Sequence, residues 1–306
     1  MRIPVKKFII PTAAFLWVGL GILLAIQDAG VESSRVTAGR IVSLAPNLTE
    51  ILFALGLGDE IAAVSSDSDY PPEADDKVKV GNFWQPSLEA IISAGPDLVV
   101  ALWFEQQSSV ARRLERMGYH SLTLKIETIP ELFDAIDKIG EVTGRGKEAR
   151  ELVGRIQQQF DDIQARLDSA KPCRVLWVVQ TEPLRVAGRE TFVNELIELA
   201  GGVNAIGPTI HKYPPIGTEQ LIACEPDVII QPAMLGGELE TRQQAAEVFW
   251  SRWKNVPAVK NKRLYVLEAD TVSRLGPRLA DGVRMVAECL HPELFQPDPN
   301  KKRIDD

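Results

Sequence analysis

Two glutamates in matching surroundings are the first residues whose placement asks for a chemical explanation. "SLEAIISAGPDLVVA" begins at Ser87 and "GTEQLIACEPDVIIQ" at Gly217. Laid over each other without a gap, they align Glu89 with Glu219, Pro96 with Pro226 and Asp97 with Asp227, at a constant offset of 130 residues. Each carboxylate falls in the first turn of an expected helix, where the helix dipole favours an anion. A carboxylate there either stabilises its own helix start or meets a guanidinium of a partner, a pairing its geometry suits.

Catalytic signatures are missing around this repeat. The chain carries no G-x-G-x-x-G, P-loop, G-x-S-x-G or H-E-x-x-H motif. His120, His211 and His291 are scattered, so no single motif holds a histidine metal site. Cys173, Cys224 and Cys289 form no C-x-x-C pair and read as small buried hydrophobes. The reading is therefore of a binding protein, not an enzyme, with no resident cofactor or metal.

The composition is that of a folded chain, with 306 residues, 45% of them hydrophobic, and a formal net charge of −8. That length accommodates more than one domain. No basic stripe occurs, which argues against nucleic-acid binding. Arg2, Lys6 and Lys7 precede the uncharged run "FIIPTAAFLWVGLGILLAI". Residues 1–30 thus read as a signal peptide or an uncleaved N-terminal membrane anchor. Either places the remainder outside the cytoplasm. No cysteine lies near the end of the run, which speaks against a lipid anchor.

The elements that must position the two glutamates alternate strand and helix. "RIVSLAP", "IAAVS", "DLVVAL" and "SLTLK" read as strands, separated by helices in "NLTEILFALG", "SLEAIISAG" and "EQQSSVARRLERMG". Asn47 and Glu50 have the spacing of a capping box. "IPELFDAIDKIGEVTG" closes this half, expected over residues 39–145. From 146 to 170, Leu152, Ile156, Phe160, Ile163 and Leu167 follow helical spacing. This predicts one amphipathic helix of about 25 residues, roughly 37 Å long, a stiff connector. A second half, 171–292, repeats the order, with "ETFVNELIELAGG" answering "NLTEILFALGLG". A tail covers 293–306. The expected fold is α/β: two Rossmann-like lobes with mostly parallel sheets, joined by one long helix, with a ligand cleft between them.

"RIVSLAPNLTEILFALGLGDEIAAVSSDSDYPPEA", "VGNFWQPSLEAIISAGPDLVVA" and "GTEQLIACEPDVII" resemble the periplasmic binding proteins of the vitamin B12, siderophore and haem ABC importers. These are the helical-backbone (class III) binding proteins, and the likeness is greatest to cobalamin-binding members. It runs from about Arg40 to Leu290. The resemblance implies an extracytoplasmic carrier that captures cobalamin or a related corrinoid and hands it to a dimeric permease driven by an ATPase. It also implies that Glu89 and Glu219 dock onto arginines of that permease; Glu50 and Glu195 are read from the residues as stabilising only their own helix starts.

The implied ligand contacts are aromatic: Phe83 and Trp84, Trp103 and Phe104, and Tyr213, where cobalamin-binding members carry a tryptophan. Trp177, Trp250 and Trp253 read as core. The chain departs from the family in having Asp67 where those members have a tyrosine, and Arg185 near a family phenylalanine. Arg185 and Arg274 are candidates for a ligand carboxylate or phosphate, and Asp270 for a ligand amide. A ferric siderophore or haem carrier, and a membrane-tethered sensor or scaffold without a transported ligand, remain open as alternatives.

Overall fold

The computed structural model describes residues 39–233 and 238–295. The expected signal or anchor over residues 1–30 lies outside them, as does the tail beyond Phe295. Among the described residues, no helix is long and apolar enough to cross a membrane.

The first lobe runs β1 (Ile41–Ser43), α1 (Pro46–Ala54), β2 (Ile61–Val64), β3 (Val78–Lys79), α2 (Leu88–Ser93), β4 (Leu98–Leu102), α3 (Glu105–Arg116), β5 (Ser121–Leu124) and α4 (Ile129–Thr143). Helix α5 (Gly146–Leu167) leads into the second lobe. That lobe runs β6 (Cys173–Thr181), β7 (Leu184–Val186), α6 (Phe192–Leu199), β8 (Gly202–Asn204), α7 (Thr218–Ala223) and β9 (Val228–Ala233). It ends in α8 (Leu239–Trp250), α9 (Pro257–Lys260), β10 (Leu264–Glu268), α10 (Ala269–Ser273), α11 (Leu279–Leu290) and α12 (Pro292–Phe295).

The first sheet has the order β3-β2-β1-β4-β5 and is parallel at every pairing. Its central strands are apolar on both faces: Ile41, Val42, Leu98, Val99 and Val100 are all buried. Strands covered by helices on both sides need this continuous run, not an alternation. The second sheet has the order β10-β9-β6-β7, with β8 also on β6. Only β7 runs antiparallel there. In the first sheet the strand order reverses between β1 and β4. Above the C-terminal ends of such strands an open α/β sheet leaves its crevice.

The expected capping box at the start of α1 does not form. Pro46 suits the first helical position, where its fixed φ is already helical and its missing N–H costs nothing. The helix therefore starts earlier, with Ala45 as its extended N-cap. Asn47 then falls in the first turn, and Glu50 lies within the helix.

Helix α5 has 22 residues against the expected 25 or so, and its predicted apolar stripe, Leu152, Ile156, Phe160, Ile163 and Leu167, is buried. That stripe is continuous with buried residues of both lobes, including Leu132 and Ile136 of α4, Leu196 of α6 and Val283 of α11. Each such side chain contributes about 1.5–3 kcal/mol on burial, so the connector is anchored along its length.

Trp177 and Trp250 are buried, and Trp250 packs with Phe249 and Trp253. The three cysteines are free thiols, two of them buried.

The repeat that opened the sequence is also a backbone repeat. Gly95 and Glu225, at the same offset, both adopt positive φ, 58° and 38°. Glycine accepts this freely, whereas a glutamate there is strained. Asp97 Oδ2 accepts from Gly39 N, and Asp227 Oδ2 from Arg174 N, at 3.0 and 2.9 Å. In both lobes an aspartate ties the turn before a strand to the start of the lobe's first strand.

Candidate functional site

A cavity of about 740 Å³ lies where the C-terminal ends of both sheets meet. The first lobe supplies Pro46 and Asn47 after β1, Leu102 at the end of β4, Ile126 and Glu127 after β5, and the loop residues Asp67, Asn82, Phe83 and Trp84. The second supplies Thr191 and Phe192 at α6, Lys212 and Tyr213 before α7, and Ser273, Arg274 and Leu275 at the C-terminal end of α10. The size is that of a small-molecule site.

The aromatic wall belongs to a tight loop. Gly81 sits at φ 95°, and a Cβ there would lie 2.4 Å from the Gln85 carbonyl oxygen. Asn82 Oδ1 accepts from Trp84 N and Gln85 N, at 3.0 and 2.7 Å. Asp67 Oδ2 accepts from Phe83 N at 2.5 Å. The loop is thus pinned at its base and its crest. Phe83 stacks on Phe104 with centroids 4.9 Å apart, and Trp84 meets both rings edge-on. Trp84 remains 63% exposed, so one indole face is open to an incoming flat surface.

Of the residues singled out in the sequence, Phe83, Trp84, Tyr213 and Arg274 line this cavity. Phe104 stands behind Phe83 as its stacking partner. Trp103, just past the end of β4, is exposed and lies off the described walls, its N–H bonded to the Leu124 carbonyl. Arg185 donates to the Tyr213 carbonyl at 3.2 Å and supports that residue from outside the walls.

Arg274 is not an uncommitted cation. It lies 2.8 Å from Asp69, 2.8 Å from Asp270 and 3.5 Å from Glu50. It lines the cavity but is already engaged by carboxylates of both lobes, so a ligand anion has to compete with them. Asp270 likewise spends an oxygen on Arg274. Burial pushes the Asp270 carboxyl up; the Arg274 charge offsets this only in part, and Asp69 and Glu268 add to the rise. Burial also acts on Asp69, but its hydrogen bond and attraction to Arg274 hold it below the ordinary carboxylate range.

Glu50 and Glu195 do more than stabilise their own helices, which corrects the sequence reading. The Glu50 side chain is 2% exposed and faces Arg278, with contacts of 2.7 and 2.9 Å. Arg278 is the N-cap residue of α11, in the other lobe. Glu195 Oε2 accepts from Ile129 N at 2.9 Å, at the first turn of α4. Each lobe's first long helix thus sends an acid to the start of a helix in the other lobe. Asn47 Nδ2 adds a bond to the Leu275 carbonyl, and Lys212 Nζ lies 3.0 Å from Glu127. None of these partners is local in the chain, so helix-by-helix reading misses them. The available signal was an acid within an otherwise apolar helix face.

Tyr70 lies under Arg278, 3.9 Å from the ring centroid, and not on the cavity wall. Burial, then the Glu127 charge, pushes the Tyr213 phenol up, so it stays protonated as a donor. Glu89 and Glu219 are exposed in the first turns of α2 and α7. Ser87 caps α2 through its hydroxyl, so Glu89 is not needed as that cap. Neither glutamate has an ion-pair partner among the described residues. The described residues contain no cluster of three or more acidic, histidine or cysteine side chains suited to a metal.

Residues 41–271 match the periplasmic binding protein family model. An uncharacterised ABC transporter substrate-binding lipoprotein of Bacillus subtilis is 30% identical, over 89% of this chain and 87% of its own. The solved periplasmic vitamin B12 binding protein of Vibrio cholerae superposes with TM-score 0.72 at 28% identity, covering 85% of this chain and 99% of its own. A periplasmic haem-binding protein solved with two haems gives TM-score 0.73 at 25% identity, covering 83% and 98%.

Proposed function

The chain belongs to the periplasmic binding protein family, and on that premise we propose that it is the extracytoplasmic substrate-binding subunit of an ABC importer, carrying cobalamin or a related corrinoid. The lobes are taken as 39–145 and 171–292, with residues 146–170 as the connector. Residues 1–30 direct export and either are removed or remain as an anchor. The protein captures its ligand without chemistry.

The observation that carries this reading is the open face of Trp84, backed by Phe83 and Phe104, with Tyr213 on the opposite lobe lining the same cavity. Aromatic surfaces contributed by both lobes suit a large flat ring. The vitamin B12 binding likeness supports a corrin. Arg185 holds the Tyr213 backbone. Arg274 lines the cavity, and Asp270 holds it from behind.

Once loaded, the carrier docks through Glu89 and Glu219 onto cations of a two-fold permease. ATP hydrolysis by other subunits then releases the ligand. Two carboxylates at equivalent positions of two related lobes suit such a partner.

The test is equilibrium dialysis of the folded protein against cyanocobalamin, cobinamide, haemin and a ferric hydroxamate. Saturable one-to-one binding of the corrinoids supports the reading. Saturable binding of haemin instead favours the second reading, a haem carrier, toward which the haem-binding structural likeness points. Binding of none contradicts both.

A further inference from the structure

The cavity's cations are both spoken for. Lys212 Nζ is 3.0 Å from Glu127, and Arg274 is held by Asp69 and Asp270 at 2.8 Å each. Asp67 adds a further carboxylate to the wall, bound to a backbone N–H and not to a cation. Lys125, near Glu127 at 3.7 Å, is drawn closer to Glu131 at 2.6 Å. The lining itself balances Asp67 and Glu127 against Lys212 and Arg274, and Asp69 and Asp270 behind Arg274 tip the surroundings to acid. A ligand carboxylate entering it meets no uncommitted guanidinium or ammonium among the described walls. It approaches carboxylates in a partly desolvated cleft, where like charges repel more strongly than in water.

We propose that the Glu127–Lys212 pair, with Asp67, makes the cleft a charge filter. It admits neutral or cationic, amide-bearing ligands and rejects carboxylate-bearing ones of the same shape. The proposal rests on the reading that the ligand lies in this cleft, and it names the residues that set its class. Glu127 is the specificity-determining group: it neutralises Lys212, one of the two cations the second lobe contributes to the lining. Discrimination of this kind comes from the unfavourable contact offered to the wrong ligand as much as from the fit of the right one.

The two substitutions Glu127→Gln and Lys212→Gln break the same ion pair but leave opposite charges behind. Loss of the contact between the lobes would shift both variants in one direction. A filter shifts them in opposite directions. The probes are cyanocobalamin and the derivative in which one side-chain amide is hydrolysed to a carboxylate, together with haemin and its neutral dimethyl ester.

The wild type is expected to bind the neutral member of a pair about ten-fold or more tightly than the anionic one. Glu127→Gln narrows that ratio, and Lys212→Gln widens it. Equal affinities within a pair for the wild type, or the same direction of change in both variants, overturn the filter while leaving the carrier reading intact. Binding of neither member of either pair removes the carrier reading, and the filter falls with it.

Discussion

Lys212 Nζ and Glu127 Oε2 lie 3.0 Å apart, one on each lobe, at the wall of the shared cavity. The contact is half exposed and adds little to stability in itself. Its position matters more, because both side chains line the cavity proposed to take the ligand. Raising the salt from 50 to 500 mM is expected to change ligand association more than Tm, because screening acts on exposed charges. Stopped-flow association and thermal melts at both salts separate the two; a larger effect on the melt runs against this role.

The buried Glu50–Arg278 pair has the opposite character. Glu50 is almost fully enclosed, so Glu50→Ala leaves Arg278 without its partner. A loss of about 3–5 kcal/mol is expected by denaturant unfolding. Replacing both residues with apolar ones of similar volume should recover much of that loss. A single mutant within about 0.5 kcal/mol of wild type would show that the pair does not hold the lobes together.

Acid dissects the Arg274 cluster. The folded carboxyl of Asp69 is lowered from its ordinary 3.8, so its contribution is present above 3.8 and lost as pH falls through the folded value. Asp270 is raised by burial, so the sign reverses: its charged form is a penalty that grows as pH rises through the titration. Asp69→Asn should therefore lower stability at pH 7 by up to about 1 kcal/mol, since Asp69 is half exposed, with the deficit shrinking as pH falls through the folded value. Asp270→Asn should cost less or nothing at pH 7. Denaturant midpoints of both variants at pH 7, 5 and 3 measure this, and equal losses for the two at pH 7 would refute the opposite signs.

Much of the architecture was legible because it rests on local patterns. The helical spacing from Leu152 to Leu167 and the apolar strand "DLVVAL" follow from neighbours a few residues away, and the Glu89/Glu219 repeat is one such local pattern written twice. Strands β3, β7 and β8 escaped, since two or three residues show no period. The site was half legible. Phe83 and Trp84 stand out as aromatics in a glycine-turned loop. The commitment of Arg274 to three carboxylates, and the reach of Glu50 and Glu195 into the other lobe, depend on partners up to 228 residues away. Only the folded chain brings those together.

The thiols should differ sharply in reactivity. Burial pushes the Cys289 thiol up to about 12, with Glu288 adding to the rise, and burial also raises Cys224. Both are protonated at pH 8, and the thiolate is the nucleophile. Cys173 is only partly buried. Iodoacetamide at pH 8 followed by peptide mapping should label Cys173 first and the other two only on unfolding. Equal labelling of all three in the native protein contradicts their burial.

Docking through the exposed pair predicts a separation of two functions. Glu89→Ala with Glu219→Ala should abolish uptake in cells that depend on this carrier while changing ligand affinity less than about two-fold, because neither residue lines the cavity. Uptake at the wild-type rate would remove the docking role.

The central claim is that the ligand is held in the cleft against Trp84. The most direct measurement is the corrinoid affinity of Trp84→Ala beside Trp103→Ala, by calorimetric titration. Trp84 lines the cavity with an open ring face, whereas Trp103 lies off its walls. The account predicts about a ten-fold or greater loss for Trp84→Ala and a change under about two-fold for Trp103→Ala. Unchanged affinity in Trp84→Ala, or a large loss confined to Trp103→Ala, would place the ligand elsewhere.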